Sequence, residues 1–257
     1  MKRISYSQYS QWDICPYRWK LMYIDKLGTW SDNIHTLFGT SMHEVLQTYL
    51  TIMYNDTAKM ADALPLDEML LTRMKKNFVE IMKRNGGEVF VEQAEMEEFY
   101  QHGLAILDWF KKKRNNYFMK KGYELVGIEV PIDIKTSTMG WNKYQKADKN
   151  KTDQLLLYKH FYSLQNDIPL DKIDVEYFIV KRKLWEKADF PQKRVQKFVP
   201  ANGKPSLNKV MSKVNRFISE SFIDDQHNLE HTYIKQPSKK NCKYCEFANT
   251  EHCDAEI

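Results

Sequence analysis

No run of apolar residues in this 257-residue chain approaches the roughly 18–20 that a membrane-spanning helix needs. That excludes a helical integral membrane protein and predicts no membrane partner. The opening Met1-Lys-Arg-Ile-Ser-Tyr-Ser lacks the apolar stretch of about 7–15 residues that marks a secretory signal. The expected address is therefore cytoplasmic, in a bacterial or virus-infected cell, or else nuclear. Internal repeats and low-complexity tracts are absent. Cysteine is scarce, at four residues, and in a reducing compartment thiols more often bind metal or fill a core than pair as disulfides. A strong charge bias is missing too: 39 basic and 34 acidic residues leave a net charge of +5.

Apolar residues at 42% and aromatics at 13% describe a globular chain with a core of its own, in one large domain or two small ones. The charge is unevenly placed. Lys181–Lys197 holds seven basic and two acidic residues, interleaved with Trp185 and Phe190 and followed by Phe198. Such a stripe suits a nucleic-acid backbone and stacked bases, or else a solvated face. Lys111–Lys113, Arg114, Lys120 and Lys121 form a second cluster, and Glu88–Glu98 an acidic counterweight.

Residues 1–121 read as mainly helical. Ser5 with Gln8 predicts a capped start, and Pro16 a kink or split. Ser41 with Glu44 reads as a second capping box. Pro65 and Asp67 start a helix stopped at Gly86-Gly87, and another runs over Gln93–Lys120. Residues 122–222 carry the predicted sheet: strands at Glu124–Lys135, Asp174–Val180 and Val195–Val199. A helix over Asp153–Leu164 and another capped by Ser206 flank it. Residues 223–257 form a cysteine-bearing tail. The fold class is mixed α/β, a sheet flanked by helices in a single domain over 1–257.

The tail carries Cys242-Lys-Tyr-Cys245 and Cys253, and Cys15 lies far upstream. A C-x2-C turn aims two sulfurs at one centre, and four thiolates suit tetrahedral zinc or an iron–sulfur cube. Zinc held by the three tail cysteines with His252 or His231 is a further option. Asp133-Ile-Lys135 puts an acid and an ammonium on one strand face. Gln154 and Tyr158, four apart, share a helix face.

Taken together these residues resemble the RecB-like branch of the PD-(D/E)xK nucleases. Cys15-Pro16, in Ser5-Tyr-Ser-Gln-Tyr-Ser-Gln-Trp-Asp-Ile-Cys-Pro-Tyr-Arg-Trp, looks like the opening of the iron–sulfur members. Among these are CRISPR-associated exonucleases and AddB-type repair nucleases. In them one cysteine precedes the core and three follow it, as Cys15, Cys242, Cys245 and Cys253 do here. The resemblance implies a [4Fe-4S] cluster, with zinc the alternative, stapling the two ends of a restriction-endonuclease-like domain. Gly39-Thr-Ser-Met-His43 resembles the G-x-x-x-H motif, Asp133-Ile-Lys135 the D/E-x-K motif, and Gln154 through Tyr158 the Q-x-x-x-Y motif, in the family's order. The implied roles are His43 and Asp133 on Mg²⁺ or Mn²⁺, Lys135 beside the attacking water, and Gln154 and Tyr158 on the substrate. The implied activity is a DNA exonuclease or flap-trimming nuclease acting on single strands in replication, recombination or repair, with a helicase or recombination partner.

One element of the pattern is missing. The family's second motif, an aspartate in G-x-x-D on a hairpin before D-x-K, is not found. Glu129 lies only four residues before Asp133, roughly 13 Å away along a straight strand and too far to share an ion without a sharp bend. The chain reads as though a hairpin were absent between Ile132 and Asp133. The rival expectation is therefore a catalytically silent, cluster-stapled DNA-binding subunit. A zinc-stabilised binding module is the third.

Overall fold

The computed structural model describes residues 4–28, 32–118, 132–185, 187 and 189–254, the side chains of Ile132 and Asp133 excepted. By contacts the chain forms two compact units, residues 1–30 with 201–257, and residues 31–200.

The first helix starts where its capping residues predict. The Ser5 hydroxyl accepts from Gln8 N at 3.3 Å, opening α1 (Tyr6–Ile14). Cys15 leaves the helical region, and Pro16 restarts the chain as α2 (Pro16–Trp19), at a first-turn position where its missing N–H costs nothing. A π-helical turn, Lys20–Ile24, follows.

The second unit opens with α3 (Ile34–Asn55), capped by Asn33, whose side chain accepts from Thr36 N at 3.1 Å. The start expected at Ser41 is corrected here. Ser41 is fully buried inside α3, where its hydroxyl donates to Leu37 O at 2.8 Å and accepts from Asn77 Nδ2 at 3.0 Å. An earlier cap with an unbroken apolar face (Leu37, Phe38, Met42, Val45, Leu46, Tyr49) carries the helix through Ser41. Thr57 caps the short α4 (Ala58–Asp62). Helix α5 (Leu66–Arg84) begins after Pro65 with Asp67 and Glu68 in its first turn, where the helix dipole favours acids. It stops at Gly86 and Gly87, both at positive φ, as the sequence predicts.

Helix α6 (Gln93–Lys113) is shorter than the expected span to Lys120. Arg114 turns back instead, donating to Asp62 Oδ2 at 2.8 Å and to Lys111 O at 2.8 Å. Asp62 also accepts from the Tyr49 hydroxyl at 2.6 Å, and Lys111 Nζ donates to the Asp62 and Leu64 carbonyls. Lys111 and Arg114 thus tie α6 to α3 and α4 rather than offering charge to a partner. Lys120 and Lys121 lie outside the described residues.

Strand β1 (Ile132–Ser137) begins the sheet; the rest of the predicted strand, including Glu129, lies outside the described residues. Asn142 and Gln145 form a capping box that opens α7 (Lys143–Ala147). Asp148 caps α8 (Lys149–Asn166), which starts before the expected Asp153 because this cap precedes it. Strands β2 (Glu176–Lys181) and β3 (Val195–Phe198) complete a sheet of order β1-β2-β3, parallel then antiparallel. Alternation sorts its two faces. Ile134, Phe178 and Val180 join the core built by α3, α5 and α6. Tyr177 and Ile179 pack with Trp141 and Leu155 of α8. A small mixed sheet flanked by helices is consistent with a restriction-endonuclease-like fold.

Back in the first unit, α9 (Lys204–Ser221) starts two residues before the expected Ser206 cap, with Pro205 in its first turn. The two-residue strands β4 (Phe222–Ile223) and β5 (Gln226–His227) turn through Asp224 and Asp225 at positive φ. A polar stretch then leads to α10 (Lys239–Cys242). Trp19 centres this unit's core, its ring 5.5 Å from Phe217, Tyr233 and His227. Among the described residues no helix is long and apolar enough to cross a membrane.

Gly103 marks the closest packing in the second unit. A Cβ there would stand 2.3 Å from Leu70 Cδ2 and 3.2 Å from Phe38 Cε2. Gly103→Val should therefore destabilise the chain by about 1–3 kcal/mol through overpacking, measured by urea unfolding. An unchanged midpoint would mean that α6 approaches α3 and α5 less closely.

Candidate functional site

Among the described residues, β1 is an edge strand with α3 on one face and α8 on the other. Along that edge lies a cavity of about 340 Å³, lined by Gly39, Thr40, His43, Glu44, Ile134, Lys135, Thr136, Gln154 and Tyr158. Three of the sequence motifs meet in it. Gly39 lies where α3 meets β1: a Cβ at that position would be in ordinary contact with Thr136 Oγ1, at 3.4 Å. One helical turn later, on the same face, His43 enters the cavity. It stands in the third turn of α3 rather than the first turns, because the helix begins at Ile34.

From the other side α8 supplies the Q-x-x-x-Y pair. Lys135 Nζ donates to Gln154 Oε1 at 3.1 Å, and Gln154 Nε2 donates to the Tyr158 hydroxyl at 2.7 Å. Gln154 thus orients both neighbours. It fixes the ammonium on the cavity side, and by donating to the Tyr158 oxygen it turns the phenolic proton elsewhere. Lys135 also lies 5.9 Å from the Tyr177 ring centroid. Asp133 is in β1 opposite Tyr177, two residues before Lys135, and its side chain is outside the described residues.

Glu44 is the cavity residue that the sequence reading missed. Its assigned place as the partner of a Ser41 cap does not exist, since Ser41 is inside the helix. Its position immediately after His43 was the available signal. His43 and Glu44 offer nitrogen and oxygen donors suited to Mg²⁺ or Mn²⁺. A third donor would have to be Asp133. Among the described residues, no three His, Cys, Asp or Glu side chains form a group that could hold an ion as they stand.

The first unit gathers all four cysteines. Cys15, Cys242, Cys245 and Cys253 line one small cavity of about 20 Å³, together with Tyr17, Arg18 and Lys235. That is room for about one water-sized particle, so a cluster or ion would require the sulfurs to rearrange around it. The donor chemistry nonetheless suits thiolate ligands. Gln236 N donates to Cys15 Sγ at 3.4 Å, and the Phe247 and Ala248 amides point at the Cys245 sulfur. Burial pushes the Cys245 thiol above its ordinary value, partly opposed by those amides and by Arg18; a bound cation would favour the thiolate. Chain ends meet here directly. Tyr17 N donates to Ile234 O, Asn241 Nδ2 to Ile14 O at 3.0 Å, and Arg18 pairs with Glu246 at 2.7 Å. Neither His252 nor His231 lines the cavity.

The basic stripe is partly neutralised. Glu98, from the acidic counterweight on α6, accepts from Lys183 at 2.7 Å and Arg182 at 3.3 Å. Arg182 stacks 3.8 Å above the Phe99 ring and reaches His102 Nδ1 at 3.0 Å. Lys197 pairs with Glu176. The segment also presents exposed Lys187 and Lys193 and the exposed rings of Trp185 and Phe190, and Gln192 pins the loop by bonding both backbone groups of Trp185.

Residues 3–130 match the family model of the PD-(D/E)XK nuclease superfamily. The match covers Cys15, Gly39 and His43 and ends three residues before Asp133. It supports a nuclease at the level of the superfamily, whose members commonly use Mg²⁺ or Mn²⁺. No curated protein and no solved structure matches the chain.

Burial, and next the Arg182 charge, hold His102 below its ordinary value against the pull of Glu98. The unfolded chain therefore takes up a proton at His102 near pH 6.5 before the folded chain does, and stability falls as pH drops through that window. His102→Gln should lose less thermal stability than the parent between about pH 7.5 and pH 5. Equal losses would show that His102 does not titrate in this setting.

Proposed function

We propose that the protein is a metal-dependent DNA nuclease, an exonuclease or flap-trimming enzyme that acts on single strands, its two units working as one domain over 1–257. The observation that carries this reading is the Lys135–Gln154–Tyr158 chain of hydrogen bonds, facing His43 across one cavity. The superfamily match to residues 3–130 supports it.

In this reading His43 and Asp133 hold Mg²⁺ or Mn²⁺. Once bound, the ion draws charge from a phosphate oxygen and lowers the pKa of a coordinated water. The protein's own part is positioning. Lys135, steadied by Gln154, presents its ammonium to the attacking water or to the phosphate oxygen on which negative charge develops. The water oxygen bonds to phosphorus and gives up a proton to solvent, while the bond from phosphorus to the leaving ester oxygen breaks and that oxygen takes up a proton from solvent. Gln154 and Tyr158 bound the substrate side of the cavity, and exposed Trp185 and Phe190 are suited to base stacking. In the first unit the four cysteines hold a metal centre. The resemblance favours [4Fe-4S], with zinc the alternative. Joining Cys15 to the tail across more than 200 residues would restrict the unfolded ensemble. A helicase or recombination partner fits the same reading.

The missing second-motif aspartate favours one rival, a DNA-binding subunit without turnover. A labelled single strand incubated with Mn²⁺ separates the two. The nuclease reading predicts metal-dependent loss of label that falls by at least about 10²-fold in Lys135→Ala, the scale of a lost charge-stabilising donor. Tight DNA binding without cleavage supports the silent subunit. For the cysteine centre, Cys245→Ser should lose bound metal and most soluble protein. Metal analysis of the purified parent distinguishes iron with absorbance near about 400 nm from colourless protein with zinc. Normally folded, metal-replete Cys245→Ser would contradict the staple.

A further inference from the structure

We propose that Glu44 supplies the second acidic charge of the metal site, its carboxylate holding a water of the hydrated divalent cation bound at His43. This rests on the nuclease reading and answers the question that reading leaves: where the charge of the absent second-motif aspartate comes from.

The argument starts from helix geometry. Gly39 and His43 share the face of α3 that meets β1. Thr40 and Glu44, each one residue further, share the adjacent flank, and all four line the same cavity. Neighbouring helix residues point about 100° apart. Direct ligation of one ion by both His43 and Glu44 is therefore strained, whereas a water between the ion and the carboxylate fits. Mg²⁺ favours this arrangement, because it dehydrates reluctantly and keeps several waters, with only one or two protein carboxylates bound. The same adjacency operates in H-E-x-x-H helices, where the histidine binds the metal and the next glutamate works on its water.

Among the described residues, the Glu44 carboxylate is held by one long ion pair. It is not the capping residue that its sequence position suggested, since α3 starts at Ile34. Its Oε2 is buried and has no hydrogen-bond donor among the described residues, and the Arg73 Nε that pairs with it stands 3.5 Å away. Charge balance points the same way. Lys135 lines the cavity; a divalent ion (+2) beside its ammonium (+1) with Asp133 (−1) as the only acid leaves a net +2, which the Glu44 carboxylate lowers to +1.

The test measures Mn²⁺ binding to the DNA-free protein by electron paramagnetic resonance of the free ion, alongside cleavage of a labelled single strand. Glu44→Gln should weaken Mn²⁺ binding by roughly 10–100-fold, the cost usual for losing an outer-shell metal partner, and lower cleavage with it. Arg73→Met breaks the same ion pair from the other side and should leave Mn²⁺ affinity within about twofold of the parent, which separates a metal role from a packing role. If Glu44→Gln fails to fold, Glu44→Asp replaces it, with an affinity below the parent's expected. Unchanged Mn²⁺ affinity in a folded Glu44 variant overturns this proposal while a cleaving parent keeps the nuclease reading intact. A parent that neither binds Mn²⁺ nor cleaves overturns both.

Discussion

A lysine ammonium held on strand β1, between α3 and α8, is the feature on which the functional account depends. Lys135 reaches that place because alternation along β1 sends Ile134 into the α3 core and the next residue to the opposite face, where α8 passes. There Gln154 takes its proton-bearing end and passes the constraint on to Tyr158. From the other side α3 brings Gly39 and His43 to the same cavity.

Much of this was legible in the sequence because it rests on short-range periodicity. Spacing of two on a strand and four on a helix puts Lys135, Gln154, Tyr158 and His43 on usable faces whatever the wider packing. The Pro16 split and the Gly86-Gly87 stop follow from local backbone chemistry. What the sequence concealed was competition between signals. Ser41 with Glu44 matches a capping box, yet Asn33 caps earlier and the apolar face continues through it. Misassigning Ser41 hid Glu44, whose place in the cavity becomes visible only once α3 is known to start eight residues earlier. The basic segment shows a different limit. The sequence does not reveal which of its charges are paired: Glu98 comes from a distant helix to meet Arg182 and Lys183, while Lys187 and Lys193 stay exposed.

The cysteines illustrate how far spacing reaches. Three thiols within twelve residues predict a shared centre on local grounds. That Cys15 lines the same cavity depends on contacts more than 220 residues apart in sequence, including Asn241 to Ile14 and Gln236 to Cys15. Those hydrogen bonds belong to the polypeptide itself, so the two chain ends have reasons to meet before any metal arrives. A metal centre there would strengthen an existing contact rather than create it.

The most direct measurement of the central claim is an anomalous-scattering map from crystals grown with Mn²⁺. The account predicts a peak within bonding distance of the His43 imidazole, in the cavity that Lys135 and Gln154 line. Mn²⁺ bound only elsewhere, or a His43 ring turned out of that cavity with Lys135 parted from Gln154, would contradict it.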